Sequence, residues 1–148
     1  TPVNDAPTTS PVTLAAIAED SGARTITQAE LLANAGDIEG DALVASGLAI
    51  SSGGGTLDDN GDGTWTYTPD ADDDTSVSFS YTITDDGTTN GGADPLSVAG
   101  SATLDITPVN DAPTTSPVTL AAIAEDSGAR TITQAELLAN AGDIEGDA

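Results

Sequence analysis

The sequence has 148 residues, with 25 acidic residues against two basic ones, no His, no Cys and a net charge of −23 at pH 7. That balance excludes nucleic acid as a partner, which needs basic patches, and no apolar run is long enough for direct membrane insertion. Without Cys there are no disulfides, thiolate metal sites or Cys nucleophiles, so stability must come from a core or from metal.

Residues 107–148 repeat residues 1–42 letter for letter. Solenoid repeats are shorter, whereas this period suits one whole domain with its own core. The expected organisation is a complete domain over 1–106, a linker over 107–113, and an incomplete second copy over 107–148, all within a longer tandem array. An export signal is expected outside these residues. The tail lacks a second copy of Trp65, Phe79 and Asp85, so a full domain cannot form from it alone. Three fates stay open: disorder, completion of another molecule's fold, or replacement of 1–42 in a domain built from 43–148.

In chain order, the Pro-rich opening reads as an extended linker. Val12–Ala18 is a first strand and Arg24–Thr27 a short one. Gln28–Gly36 is the one helical piece, with Gly36 as its stop. The acidic loop Asp37–Asp41 follows, then a strand over Ala42–Ser51. Thr56–Leu57 and Thr64–Thr68 flank the turn-rich DDNGDG, a hairpin signature. VSFSYTIT alternates without error: Val77, Phe79, Tyr81 and Ile83 share one face, Ser78, Ser80, Thr82 and Thr84 the other. Val98, Ala102, Leu104 and Ile106 continue the pattern in the last strand. Period two marks half-buried strands and argues against the disorder that acidic chains often show. About seven short strands predict an all-β, antiparallel immunoglobulin-like sandwich. Its core is expected around Trp65, Tyr67, Phe79 and Tyr81. The outward threonines read as solvated strand faces, without the single repeated spacing that a crystalline ligand would need.

The acids gather at strand ends. Following the chain through a sandwich puts Glu19 and Asp20 at the bottom with Asp70, Asp72, Asp73 and Asp74. Asp37, Glu39 and Asp41 fall at the top with Asp85 and Asp86. The last strand descends to Asn110 and Asp111. Carboxylates two residues apart, near glycines, suit a hard cation with many oxygen ligands, as calcium is. Zinc or copper would want His or Cys.

The motifs NDAP, LLANAGDIEGDAL, DGTWTYTPDADDD, FSYTITDDG and TPVNDAP, in this order, resemble cadherin-like immunoglobulin-fold repeats of bacterial surface adhesins. The resemblance covers 1–106 and the partial copy. It is closest to the extender regions of giant calcium-dependent, ice-binding adhesins of RTX type. It implies an extracellular, cell-surface protein exported by type I secretion, with calcium between identical neighbouring repeats. It implies as calcium ligands Asn110 and Asp111 in the linker, Glu19 with Asp20 after the first strand, and Asp85. It also implies Asp143, Glu145 and Asp147 in the second copy, with Asp37, Glu39 and Asp41 as the same loop in the first. PDADDD departs from the animal cadherin pattern, so Asp70, Asp72 and Asp73 stay open as the bottom-loop ligand. The linker is also one residue shorter than in animal cadherins.

Other readings are weaker. Asp58–Gly63 fits the start of an EF-hand loop, but Pro69 stands where the twelfth-position Glu belongs, and a hairpin turn is preferred. SGGGTLDDNG lacks the Lys of a phosphate loop. Paired carboxylates serve glycoside chemistry, yet these lie at opposite poles, so no enzyme is expected. The expected role is a calcium-stiffened spacer. The alternative is a calcium-dependent module that binds sugar or protein, which an exposed aromatic beside an acidic loop would favour.

Overall fold

The computed structural model of the protein describes residues 3–146. Its backbone forms two compact units, one up to Val109 and one from Asn110.

In the first unit the alternation builds two sheets. One has the order β1 (Val12–Ala18), β9 (Ser97–Thr107), β6 (Val77–Thr84), β3 (Val44–Ser52). The other has the order β2 (Arg24–Thr27), β5 (Thr64–Thr68), β4 (Thr56–Asp59). Val77, Phe79, Tyr81 and Ile83 are buried, while Ser80 and Thr82 are exposed. Ala102, Leu104 and Ile106 of β9, Val12 and Leu14 of β1, and Ile26, Trp65 and Tyr67 of the facing sheet complete one core. Tyr67 meets Phe79 across the sandwich edge to face, with ring centroids 5.4 Å apart and planes at 87°, an arrangement that aromatic quadrupoles favour. The two buried tyrosine hydroxyls are satisfied: Tyr81 donates to the Leu31 carbonyl at 2.8 Å and Tyr67 to the Gly54 carbonyl at 3.1 Å.

The sandwich is all-β as expected, with one departure from antiparallel pairing: β1 lies parallel to β9. Both strands run from top to bottom, the directions that the sequence reading gives them. A bulge between Leu14 and Ile17 shifts the register. In β3 the pairing with β6 slips between Ser46 and Ala49. Gly47 sits in that slip with φ 64°, which glycine adopts without steric cost.

The predicted helix is shorter than its sequence suggests. The α-helix α1 covers only Gln28–Leu31, because tertiary contacts take over its C-terminal end. The Leu31 carbonyl accepts from Tyr81, and Gly36 pairs with Thr8 through two backbone hydrogen bonds of 2.8 and 2.9 Å. Its N-terminus is fixed locally, by a capping box between Thr27 and Glu30 and by the Arg24–Glu30 ion pair at 2.7 Å. The Gln28 side chain donates to Ala45 O at 2.6 Å and accepts from Ala45 N at 2.8 Å, tying α1 to β3. DDNGDG is a hairpin turn: Asp59 accepts from Gly61 N and Asp62 from Thr64 N, at 2.8 and 3.0 Å. A small hairpin of β7 (Thr88–Thr89) and β8 (Gly92–Ala93) was not anticipated.

Residues 12–18, and not their copy 118–124, pair with β9. The domain therefore uses its own first segment. It closes at Val109, slightly beyond the Ile106 boundary of the repeat period. The second unit keeps only local structure. β10 (Thr114–Thr115) pairs with β11 (Ala141–Gly142), and α2 (Gln134–Leu137) has the same capping box, from Thr133 and Glu136. Residues 118–124 and 130–133, strands in the first copy, form none here.

Candidate metal centre

The top pole of the first unit begins with Asp85, which directly follows β6. Burial pushes its carboxyl up, but hydrogen bonds from Leu96 N, Gly87 N and the Asn4 side chain outweigh this and hold it below the usual carboxylate range. All three reach one oxygen, Oδ1, at 2.9, 3.0 and 3.0 Å. The other oxygen, Oδ2, is buried and finds no hydrogen-bond partner among the described residues. Asn4 is buried beside it. Its amide nitrogen donates to Asp85 and to Asp94 O, and its Oδ1 is likewise bare.

The loop after α1 supplies more oxygen. Asp37 Oδ1 accepts from Glu39 N and Asp41 N at 2.9 and 3.1 Å, an Asx-type turn that curls the loop around its own carboxylate. Asp37 Oδ2 is buried without a partner. One carboxylate oxygen from each of Asp37, Glu39 and Asp41 lies within 4.8 Å of the other two. Lost solvation, then the charges of Asp37, Asp86 and Asp85, push Asp41 up. Glu39 is raised by lost solvation and by Asp5 and Asp37, against a hydrogen bond from Asp5 N. Asp86 holds the loop by accepting from Ala42 N at 2.8 Å. Bare, buried, acceptor-only oxygens crowded among like charges match what a hard divalent cation requires, and they leave buried acceptors unpaired without one.

At the bottom pole, Glu19 is buried and accepts from Val109 N at 2.6 Å. Asp20 and Asp72 are exposed, with carboxylate oxygens within 4.8 Å of each other. Asp72 has φ 57°, the left-handed region that turns its side chain out of the PDADDD loop. Asp70 braces the chain before β4 by accepting from Gly55 N at 2.9 Å, and Asp73 accepts from Thr75 N at 3.0 Å. In the second unit, Asp143 Oδ1 accepts from Glu145 N at 3.2 Å, repeating the Asp37 turn. Asp111 and Glu145 bring carboxylate oxygens within 4.8 Å, and Asn110 donates to Asp111 O at 3.1 Å. Asp147 lies outside the described residues.

Residues 3–104 and again 109–148 match the cadherin-like domain. This chain belongs to the cadherin-like domain family. No curated protein matches it. Two solved structures of an endo-fucoidan hydrolase from glycoside hydrolase family 107, one of them a variant, align with 70% of this chain at 19% identity. Their TM-scores are 0.39 and 0.40, and the chain spans 14% of each. Cadherin-like domains typically bind calcium and are consistent with an extracellular, adhesion-type module. Among the described residues no helix is long and apolar enough to cross a membrane.

Against this cadherin-like frame, the sequence reading brings Asp37, Glu39, Asp41 and Asp85 to one pole and Glu19, Asp20, Asp70 and Asp72 to the other. Its omission is Asn4. Its duplicate Asn110 was singled out, and the exact repeat was the signal that Asn4 has the same capacity.

Proposed function

We propose that the chain is a stretch of calcium-stiffened extender from a large repetitive cell-surface adhesin, a spacer without catalytic function. The observation that carries this is the trio of buried, unpartnered oxygens at the top pole: Asn4 Oδ1, Asp37 Oδ2 and Asp85 Oδ2. In a chain of net charge −23, cations taken up there and at the bottom-pole acids relieve self-repulsion. Where one copy follows another, the bottom acids of the first precede the Asn110–Asp111 pair of the next in sequence. Calcium shared at that joint stiffens it. Affinity is expected on the order of 10⁻⁴–10⁻³ M, as for extracellular modules, so the chain stays loose inside the cell and tightens after export. Type I secretion and projection of a distal ligand- or ice-binding domain complete the proposal, with identical neighbouring repeats as partners.

The four aromatic residues, Trp65, Tyr67, Phe79 and Tyr81, are all buried. None is left beside an acidic loop to stack on a sugar, which weighs against the recognition-module reading. The test is a thermal melt followed by β-sheet circular dichroism in calcium, in magnesium and in EDTA. A large rise in Tm specific to calcium is expected. Equal Tm values in all three would reduce the acids to a solvated surface. Small-angle scattering reads the mechanical part, with a stiffer particle expected in calcium than in chelator.

A further inference from the structure

Within these residues there is one sandwich body, 43–106, and there are two identical segments able to complete it, 1–42 and 107–148. The first is seated. Ile26 and Leu31 are both 0% exposed, whereas their copies Ile132 and Leu137 are 50% and 56% exposed. What covers those apolar groups is therefore known from the first copy: the β5, β6 and β9 faces of a 43–106 body.

Whose body it is follows from reach. A seated segment puts Asn4 against Asp85 and Asp94, beside Leu96, which directly precedes β9. The equivalent Asn110 comes just after Thr107, at the other end of β9. The 11 residues of β9 extend about 33 Å at ~3.3 Å per residue. The chain from Thr107 to Asn110 reaches no more than about 11 Å. In its own chain, Asn110 cannot take the place of Asn4. In another chain it can, together with the rest of the segment.

We propose that residues 107–148 are an exchangeable docking segment, captured by the 43–106 body of a second copy of the chain when that copy's own 1–42 is displaced. The exchange replaces every contact by an identical one, so contact energy does not oppose it. It is head-to-tail, and it closes as a reciprocal pair or continues as an open chain.

The test is Ile26→Asp in the 148-residue chain, in calcium-containing buffer. It disables the first segment and leaves the second intact. The expected product keeps β-sheet circular dichroism and has a mass by light scattering of at least twice the 14.5 kDa of one chain. Ile26→Asp combined with Ile132→Asp is expected to be unfolded. Adding Asn110→Ala to Ile26→Asp is expected to lower the Tm of the assembled species. An unfolded single variant overturns the proposal. So does a folded monomer, which would mean replacement within one chain, or an assembled double variant, which would mean association by another surface.

Discussion

Gly87 shows how closely the top pole is fitted. A Cβ at this position would lie 2.0 Å from Asn4 Oδ1, inside any van der Waals contact. Gly87→Ala is therefore expected to expel the Asn4 side chain and remove one bare oxygen from the site. The rise in Tm between EDTA and calcium should shrink strongly, while Gly92→Ala, whose Cβ would meet only the Thr89 carbonyl at 3.6 Å, should leave it unchanged. The pole also fixes a pH response. Asp41 and Glu39 are raised in the fold, so they bind protons more readily folded than unfolded, and stability from these two falls as pH rises through their folded values. Asp85 is lowered, so its contribution is present above its unfolded value and is lost as pH falls through its folded one. In EDTA, Tm is expected to rise as pH drops from neutral into the carboxylate range, then fall once Asp85 protonates. In calcium the first trend should reverse, because protonation of Asp41 and Glu39 competes with the ion. Melts across pH with and without calcium check both signs.

At the scale of elements, α1 is held at both ends by different means. Its N-terminus is local chemistry, and Thr27→Ala should cost about 1 kcal/mol by removing the cap, read as a lower midpoint in urea with an unchanged slope. Its far end is tertiary, through Leu31 and Tyr81. The sheets depend on one central strand: β6 lies between β3 and β9 in one sheet and sends Phe79 against Tyr67 of the other. Phe79→Ala is expected to cost about 3–5 kcal/mol. Against a total stability of about 5–15 kcal/mol for a typical domain, that loss should leave the metal-free protein largely unfolded at moderate temperature. Calcium should restore part of the fold by mass action, measurable by circular dichroism in a calcium titration.

For the whole molecule, the dominant facts are charge and repetition. With 25 acidic residues and two basic ones, both Arg side chains are drawn into the same local motif, Arg24 to Glu30 and Arg130 to Glu136. No positive side chain is thus left to counter the acidic poles, and cations from solution must do so. Monovalent salt screens such repulsion without coordinating oxygen. A calcium-specific gain in Tm that persists in high sodium chloride is expected, and a gain that sodium reproduces would count against coordination.

The exact repeat separates what these residues determine by themselves from what their surroundings decide. Both copies form the Thr–Glu capping box, the Arg–Glu ion pair, and the Asn side-chain bond to a Pro carbonyl at 2.8 Å. Thr8 pairs with Gly36, and Thr114 with Gly142, in the same way. Most of these contacts join near neighbours, and all of them lie within a single copy of the repeated segment, so sequence suffices. Alternation likewise made the buried faces of β6 and β9 legible, because a period of two leaves each strand one apolar side. VTLAAIA and RTIT are different: each is a strand in the first copy and neither is in the second. A strand's hydrogen bonds belong to its neighbours, and only the first copy has β9 and β5 beside it. The poles divide the same way. That acids would gather at strand ends was written in the sequence. That Asn4, 81 residues from Asp85, would leave two bare oxygens at one of those poles was decided by the closure of the sandwich.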